Sequence, residues 1–182
     1  MKLPLKTRLA LKLESLKRLQ RTSPNKLTIS KNDSSISSML ITIPEAEEQR
    51  RVAVAFIQAL KESIGRTGHI TLRIVGDEIN RNNLDAGLAQ DFRGYSNTDI
   101  NRFGLLKSSA INRILSRKFD VAVDLNPDFH PLTAQLIGAS TADLRIGFQA
   151  AEKEHFYNVI LERDKQDFIE MGYLRIQQLL GL

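Results

Sequence analysis

Cysteine is absent from this sequence of 182 residues, which excludes disulfide bonds, thiolate metal sites and cysteine nucleophiles. Histidine is scarce: three residues are spread along the chain, so we predict no structural zinc site. No apolar run approaches the roughly 20 residues that a membrane-spanning helix needs. The first residues also lack the uninterrupted apolar core of a signal peptide, because charged residues break it. We therefore expect a cytoplasmic location, and we leave open attachment to the inner membrane or to a larger complex.

The net charge of +5 is concentrated at the N-terminus. Residues 1–22 hold seven of the 26 basic residues and one of the 21 acidic residues, which leaves 19 bases and 20 acids for the rest of the chain. A near-neutral body with a basic arm is typical of an appended segment rather than of a basic domain. The length allows one domain with a proper core, but not two Rossmann domains.

The basic arm is predicted to be an amphipathic helix that begins near Pro4, a residue suited to a first helical turn. Its apolar face consists of Leu5, Leu9, Leu13 and Leu16. Its candidate binding residues are Lys6, Arg8, Lys12, Lys17, Arg18 and Arg21. Such a face suits the side of its own domain, a second copy, another protein or an anionic membrane surface. Nucleic acid is disfavoured as a partner, because the arm has no aromatic residue to stack on a base.

The composition divides the chain into the basic helix at 1–22, a linker at 23–37 and an α/β domain at 38–182. The linker is rich in polar, turn-forming residues. We expect it to let the helix reach away from the domain and dock elsewhere.

Short apolar runs and helical periodicity alternate through the domain. Strands are predicted at 38–43, 69–75, 119–125 and 143–148, with a weaker one at 155–161. Helices are predicted at 45–64, 105–117, 131–137 and 164–180, where Gly65 closes the first and Gly138 the third. Residues 80–101 suggest only loops around a short helix or weak strand. Right-handed crossovers then give a three-layer, Rossmann-like α/β fold, with a mostly parallel sheet of four to five strands and helices on both faces.

Two sets of apolar side chains are predicted to form the core. Val121 and Val123 should be fully buried in the strand at 119–125, flanked by the strands at 38–43 and 143–148. The helix at 45–64 should bury Val52, Phe56, Ala59 and Leu60.

Polar residues gather at the end of the strand at 119–125, and ligands of open α/β sheets bind beyond such carboxyl ends. The candidate catalytic residues are Asp124, Asp128 and His130, with Asn126 as a candidate binding residue. An aspartate and a histidine two residues apart could support acid/base chemistry or hold a divalent ion. We favour the simpler alternative, in which Asp128 caps the next helix, Asn126 forms a turn and His130 is a partly exposed loop residue.

The segment from Leu105 to Phe148 carries a resemblance to a known family. A basic helix leads into a strand that ends in Asp124-Leu125, and a short helix and small-residue loop lead into Arg145-Ile146-Gly147-Phe148. This order resembles the last βαβ unit of the N-terminal domain of bacterial lipopolysaccharide heptosyltransferases, which have two Rossmann domains. The chain is also similar to short proteins of Bacteroidota and their relatives, which join a basic N-terminal helix to one such half-domain. The resemblance implies a Rossmann-like glycosyltransferase half.

The loop after the first strand departs from that family. Heptosyltransferases carry a Gly-Asp pair there, with the aspartate as catalytic base, and their second domain binds the nucleotide-sugar donor. Residues 44–49 here contain three glutamates but neither glycine nor aspartate, so the loop has no dinucleotide-binding fingerprint and no P-loop. Glutamates at a helix start would also repel a phosphate. Glu47 or Glu48 is a candidate replacement for the base, although neutralisation of the helix dipole explains both equally well.

These observations favour a non-catalytic binding or scaffold module, derived from a glycosyltransferase half-domain. It would dock through residues 1–22 on a protein partner, a second copy or an anionic surface. One alternative is a glycosyltransferase-like enzyme completed by a separate chain or by a homodimer. The other is non-specific nucleic-acid binding through the basic arm. No cofactor and no metal ion are predicted.

Overall fold

Six strands and six α-helices make up the part of the chain that the computed structural model describes, which is residues 4–19, 36–67, 70–149, 156–162 and 168–182. The strands are β1 (Ser38–Thr42), β2 (Thr71–Asp77), β3 (Phe92–Tyr95), β4 (Val121–Asp124), β5 (Leu144–Phe148) and β6 (Val159–Leu161). The helices are α1 (Leu5–Leu19), α2 (Glu47–Thr67), α3 (Ala86–Asp91), α4 (Ser108–Ile114), α5 (Pro131–Ala139) and α6 (Ile169–Leu180). All strand pairs are parallel, and their order is β3-β2-β1-β4-β5-β6. The predicted α/β, Rossmann-like class is confirmed, with six strands instead of four or five.

Strand β4 occupies the middle of the sheet and is buried on both faces. It pairs with β1, where Met39 lies opposite Val121, and with β5 on its other side. Because successive side chains of a strand point to opposite faces, Val121 and Val123 belong to one apolar cluster and Ala122 to the other. The predicted burial of the two valines and the predicted neighbours of β4 are both confirmed.

The helices form two layers around the sheet. The first layer contains α2, α3 and α6, whose buried residues Ile57, Leu88 and Ile176 share the cluster of Val121 and Val123. The second contains α1, α4 and α5, whose buried residues join Leu40 and Ala122 in the other cluster. Burial on both faces explains why the strands read as near-continuous apolar runs rather than as alternating patterns.

The buried face of α2 differs from the predicted one. Its fully buried residues are Ala53, Ile57, Leu60 and Ile64. Of the predicted face, Leu60 is buried, whereas Ala59 is exposed and Val52 and Phe56 are half-buried. The cause is that α2 packs on α6 as well as on the sheet, and the ring centroids of Phe56 and Tyr173 lie 5.2 Å apart.

The short helix or weak strand suggested within 80–101 corresponds to α3 and β3, whereas two helix ends were not predicted correctly. The four residues of β3 include Gly94, where a Cβ atom would approach the Cα of Glu78 to 2.7 Å, so the strand needs glycine at a position that weakens its sequence signal. Gly65 lies inside α2 and Gly138 inside α5, so neither closes its helix as expected. Helix α5 ends at Ala139, and the backbone amide of Ser140 donates to the carbonyls of Leu136 and Ile137.

Helix α1 lies against the body instead of reaching away from it. Thr7 is buried and donates from its hydroxyl to the carbonyl oxygen of Phe103 at 2.8 Å. Leu11, only 6% exposed, belongs to the same apolar cluster as buried residues of α4 and α5. By contrast Leu5, Leu9 and Leu13 are 74%, 54% and 58% exposed. The helix therefore packs on the body through a face that the leucine spacing did not identify.

Several expectations fall outside the described residues. Most of the predicted linker at 23–37, together with Arg21, lies there, and so do the side chains of Leu16, Lys17 and Arg18. Among the described helices, none combines the length and the apolar character that crossing a membrane requires.

The two sides of α1 can be distinguished by a pair of substitutions. Leu11→Ala should lower the free energy of unfolding by about 2 kcal/mol, because it removes buried methyl groups and leaves a cavity. Leu9→Ala, a change of the same size on the exposed side, should alter it by less than about 0.5 kcal/mol. Thermal unfolding followed by circular dichroism measures both. Equal melting temperatures for the two variants would contradict the packing of α1.

Candidate functional site

The sheet has a topological switch point between β1 and β4. From β1 the chain proceeds to β2 and β3 on one side, and from β4 it proceeds to β5 and β6 on the other. In open parallel sheets this reversal leaves a crevice beyond the carboxyl ends of the two central strands, where ligands bind. The loops after β1 and after β4 border that crevice here.

Glu45 and His130 meet across the switch point. Nε2 of His130 lies 3.0 Å from Oε1 of Glu45, and the hydroxyl of Tyr95 donates to the same oxygen at 3.3 Å. The hydrogen bond from His130 holds the pKa of Glu45 below its ordinary value. Burial, reinforced by nearby carboxylates, raises the pKa of Tyr95, which therefore stays protonated. The three side chains are thus linked to one another at the carboxyl ends of the strands.

Asp124, the last residue of β4, is completely buried. Its Oδ1 accepts hydrogen bonds from the hydroxyl of Thr42 at 2.9 Å, the amide N–H of Asn126 at 3.0 Å and the side-chain Nδ2 of Asn126 at 2.7 Å. Its Oδ2 accepts from the hydroxyls of Thr133, at 3.1 Å, and Tyr157. Burial, with the neighbouring Asp124 carboxylate, raises the pKa of Tyr157. Both carboxylate oxygens are thus engaged by protein donors, as the stability of a buried charge requires.

The structure does not assemble the four candidate catalytic residues into one open site. Asp124 is enclosed, whereas Asp128 is exposed. Glu47 is also exposed and forms a salt bridge with Arg51 one turn along α2. His130 is held by Glu45, and its Nδ1 is shielded from solvent without a hydrogen-bond partner in the described part of the chain. In this arrangement Nε2 of His130 contacts Glu45 and Nδ1 is shielded from solvent.

The other candidates at this end of the sheet concern ligand binding and a metal ion. Asn126 is buried and directs its amide to Asp124 and Thr133, so it presents no open group to a ligand. Within the described ranges no three histidine, aspartate or glutamate side chains are grouped closely enough to hold a metal ion. The expected capping role of Asp128 is not observed, because His130 occupies the N-cap position of α5. Glu45, together with Glu47 and Glu48 in the first turn, places negative charge where α2 would otherwise attract an anion.

The exposed side of α1 is the second candidate surface. At 3.6 residues per turn, Leu5, Leu9 and Leu13 form one row, roughly 180° around the helix from Thr7 and Leu11. We call this row, with the basic side chains beside it, the outer face of α1. The basic members whose side chains are described are Lys6, Arg8 and Lys12, and all three are exposed. Lys6 borders the row on one side, and Arg8 and Lys12 border it on the other.

The sequence pattern of a family of unknown function, DUF6913, matches residues 12–172 of the chain. The chain belongs to this family. The match begins within α1 and ends within α6, so it spans every strand of the DUF6913 sheet. No curated protein and no solved structure matches the chain.

Sequence reasoning missed three residues that organise the DUF6913 strand ends, namely Glu45, Tyr95 and Tyr157. Glu45 was grouped with the acidic residues of the next helix start, and Tyr95 lies in the region 80–101, where the sequence suggested only a short helix or a weak strand. Tyr157 lies in the weakly predicted strand at 155–161 and reaches Asp124 across 33 positions of sequence. The one available signal was Asp124 itself, because a carboxylate in a run of buried residues must find donors.

Proposed function

We propose that this DUF6913 protein is a non-catalytic binding module that docks on an anionic surface through the outer face of α1. The observation that carries the proposal is the orientation of α1. Its Thr7 and Leu11 are used for packing on the body, while Leu5, Leu9 and Leu13 remain exposed on the opposite side. Three exposed leucines in one row bordered by lysine and arginine match an acidic, partly apolar partner.

The strand ends support the non-catalytic part of the proposal. A catalytic site needs an acid or base with an open polar atom next to the position of the substrate. Asp124 has both oxygens engaged, and the nitrogen of His130 that Glu45 does not contact is shielded. The groups that would carry chemistry in a Rossmann-like crevice are therefore used for internal contacts.

We further propose that the body descends from one half of a two-Rossmann-domain glycosyltransferase. The strand order 3-2-1-4-5-6 is that of a Rossmann domain, and Arg145-Ile146-Gly147-Phe148 lies on β5, the strand in which the resemblance to heptosyltransferases ends. Fold kinship alone does not carry an activity. The descent accounts for a crevice that the molecule retains but fills with its own side chains.

The docking function predicts that the protein is part of an assembly in its own cells. In a native lysate separated on a density gradient, the full chain should sediment well ahead of a free 20.5 kDa protein. Leu9→Glu should return it to the position of the free protein, because a carboxylate on the leucine row opposes both the apolar and the anionic contact. The matched control is Leu174→Glu, an equally simple change at an exposed leucine of α6, 47% exposed, which should leave the assembly intact.

Two outcomes would contradict the proposal. The first is a wild-type protein that sediments alone at low salt. The second is an assembly that Leu9→Glu and Leu174→Glu affect to the same degree. The non-catalytic part fails if the purified protein turns over a nucleotide sugar and His130→Ala abolishes that turnover while leaving the melting temperature unchanged.

A further inference from the structure

The outer face of α1 has the geometry of a helix that lies flat on a lipid bilayer. Its leucine row is narrow and convex, and cationic side chains border it on both sides instead of clustering at one. The face that packs on the body lies roughly opposite, so the body itself would stay clear of a surface that the leucines contact. Interfacial helices have this arrangement, with apolar side chains below the head groups and lysine or arginine at their level.

We propose that the surface on which α1 docks is an anionic phospholipid bilayer. This inference rests on the docking function proposed above and specifies its partner. The leucine row enters the boundary between head groups and acyl chains, while the bordering lysine and arginine side chains contact lipid phosphates.

The distribution of charge favours lipid over an acidic protein groove. A protein groove that receives this helix needs an apolar floor only as wide as one row of leucines, with carboxylates along both of its walls. An anionic bilayer provides negative charge on every side of an apolar interior and requires no matched shape. The exposed bases of α1 lie on both sides of the row, which a bilayer satisfies without further specificity.

The loop that contacts α1 holds its packed side on the body. Phe103 is 39% exposed, and its carbonyl oxygen accepts the hydrogen bond from Thr7. The guanidinium of Arg102 lies over the Phe103 ring, 4.8 Å from its centroid. An aromatic ring with an attached cation therefore lies beside the N-terminal half of α1. Because Thr7 lies on the packed side of α1, this loop is on the side of the helix that faces the body, and we assign it no contact with the bilayer.

The helix packs on the body before any membrane is present, which reduces the entropy lost on binding. An isolated helix of this length would be marginal in water and would have to order at the membrane. Here the Thr7 hydrogen bond and the buried Leu11 already hold α1 on the body. Binding then requires no folding step, and we expect it to show little change in helical content.

Co-sedimentation of the purified full chain with vesicles tests the inference. Vesicles of phosphatidylglycerol and phosphatidylcholine in equal parts should bind the protein at least tenfold more tightly than vesicles of phosphatidylcholine alone. Leu9→Glu should weaken binding to the anionic vesicles at least tenfold, and so should the double variant Lys6→Gln/Lys12→Gln. Raising the salt concentration should also weaken the binding of the wild-type protein to anionic vesicles, because salt screens the attraction between the charges.

Matched controls distinguish binding through the outer face of α1 from non-specific hydrophobic adsorption and from attraction by the overall charge of the protein. Leu174→Glu changes an exposed leucine on another helix, and Lys118→Gln removes an exposed cation before β4. Both should bind the anionic vesicles as the wild type does. Circular dichroism spectra that match the wild type establish that each variant is folded.

The outcomes distinguish this inference from the function on which it rests. Suppose that the protein does not bind anionic vesicles but sediments from its own lysate in an assembly that Leu9→Glu disrupts. The lipid inference is then wrong, and the docking function stands with a protein or nucleic-acid partner. If it neither binds vesicles nor sediments in an assembly, both proposals fail. Equal binding to both kinds of vesicle, or equal binding by Leu9→Glu and Leu174→Glu, also overturns the lipid inference.

Discussion

Replacing Val121 by aspartate should prevent the chain from accumulating as a soluble, folded protein. Val121 is 2% exposed at the start of the central strand, and its side chain lies in the cluster between the sheet and the layer of α2, α3 and α6. A carboxylate there would be buried without a partner, at a cost of several kcal/mol or more. Because total stability of a domain is about 5–15 kcal/mol, this single change can consume most of it. Soluble yield and the presence of a cooperative thermal transition are the measurements.

A control separates burial from the added charge. Lys118 is exposed and lies three residues before Val121, ahead of β4. Lys118→Asp should therefore express and melt much as the wild type does, since surface substitutions usually change stability by less than about 0.5 kcal/mol. A soluble Val121→Asp protein that unfolds cooperatively near the wild-type temperature would show that β4 is not the central strand.

The central strands were predictable because they need no distant information. Strands β1, β4 and β5 are short apolar runs bounded by polar or turn-forming residues, and burial on both faces leaves this pattern in the sequence. Strand β3 was not predictable in the same way. It has only four residues, one of them the exposed Arg93, and its Gly94 is required by the close approach of Glu78. That requirement comes from the tertiary fold and has no local signature.

The periodicity of α1 identified an amphipathic helix but not the side that faces the body. Leucine spacing selects the most apolar face, and that face is exposed here. Among the α1 side chains that the structure describes, the packed face includes the Thr7 hydroxyl and Leu11, which complement the Phe103 carbonyl and the cluster of α4 and α5. Hydrophobic patterning therefore identified the exposed face of α1 and missed the face that packs on the body.

The site at the strand ends depends on contacts between distant parts of the sequence. Glu45 and His130 are brought together only because β1 and β4 are neighbours in the sheet. From the sequence, His130 was a candidate through its spacing from Asp128, yet its partner in the structure is Glu45. The sequence therefore identified His130 as a candidate. It suggested a partner close in sequence, Asp128, whereas the observed partner, Glu45, is distant in sequence.

Asp124→Asn should lower the free energy of unfolding by about 3 kcal/mol, because it removes the charge that five hydrogen bonds stabilise. At Oδ1 the donors include the amide and Nδ2 of Asn126, which cannot accept in return. The new amide nitrogen must therefore replace Oδ2 and face the hydroxyls of Thr133 and Tyr157, which have to turn their protons elsewhere. For a chain of this length the melting temperature should fall by roughly 6–12 °C.

Tyr157→Phe provides the graded comparison for Asp124→Asn. It removes one donor from Oδ2 and leaves the carboxylate with the four donors from Thr42, Asn126 and Thr133, so the loss should be about 1 kcal/mol. The contributing groups come from β1, from the loop after β4 and from α5, and Tyr157 precedes β6. Asp124 therefore joins four segments of the chain, and its neutralisation should exceed the loss of any single donor. If Asp124→Asn melts within about 2 °C of the wild type, or above Tyr157→Phe, the carboxylate does not have this structural role.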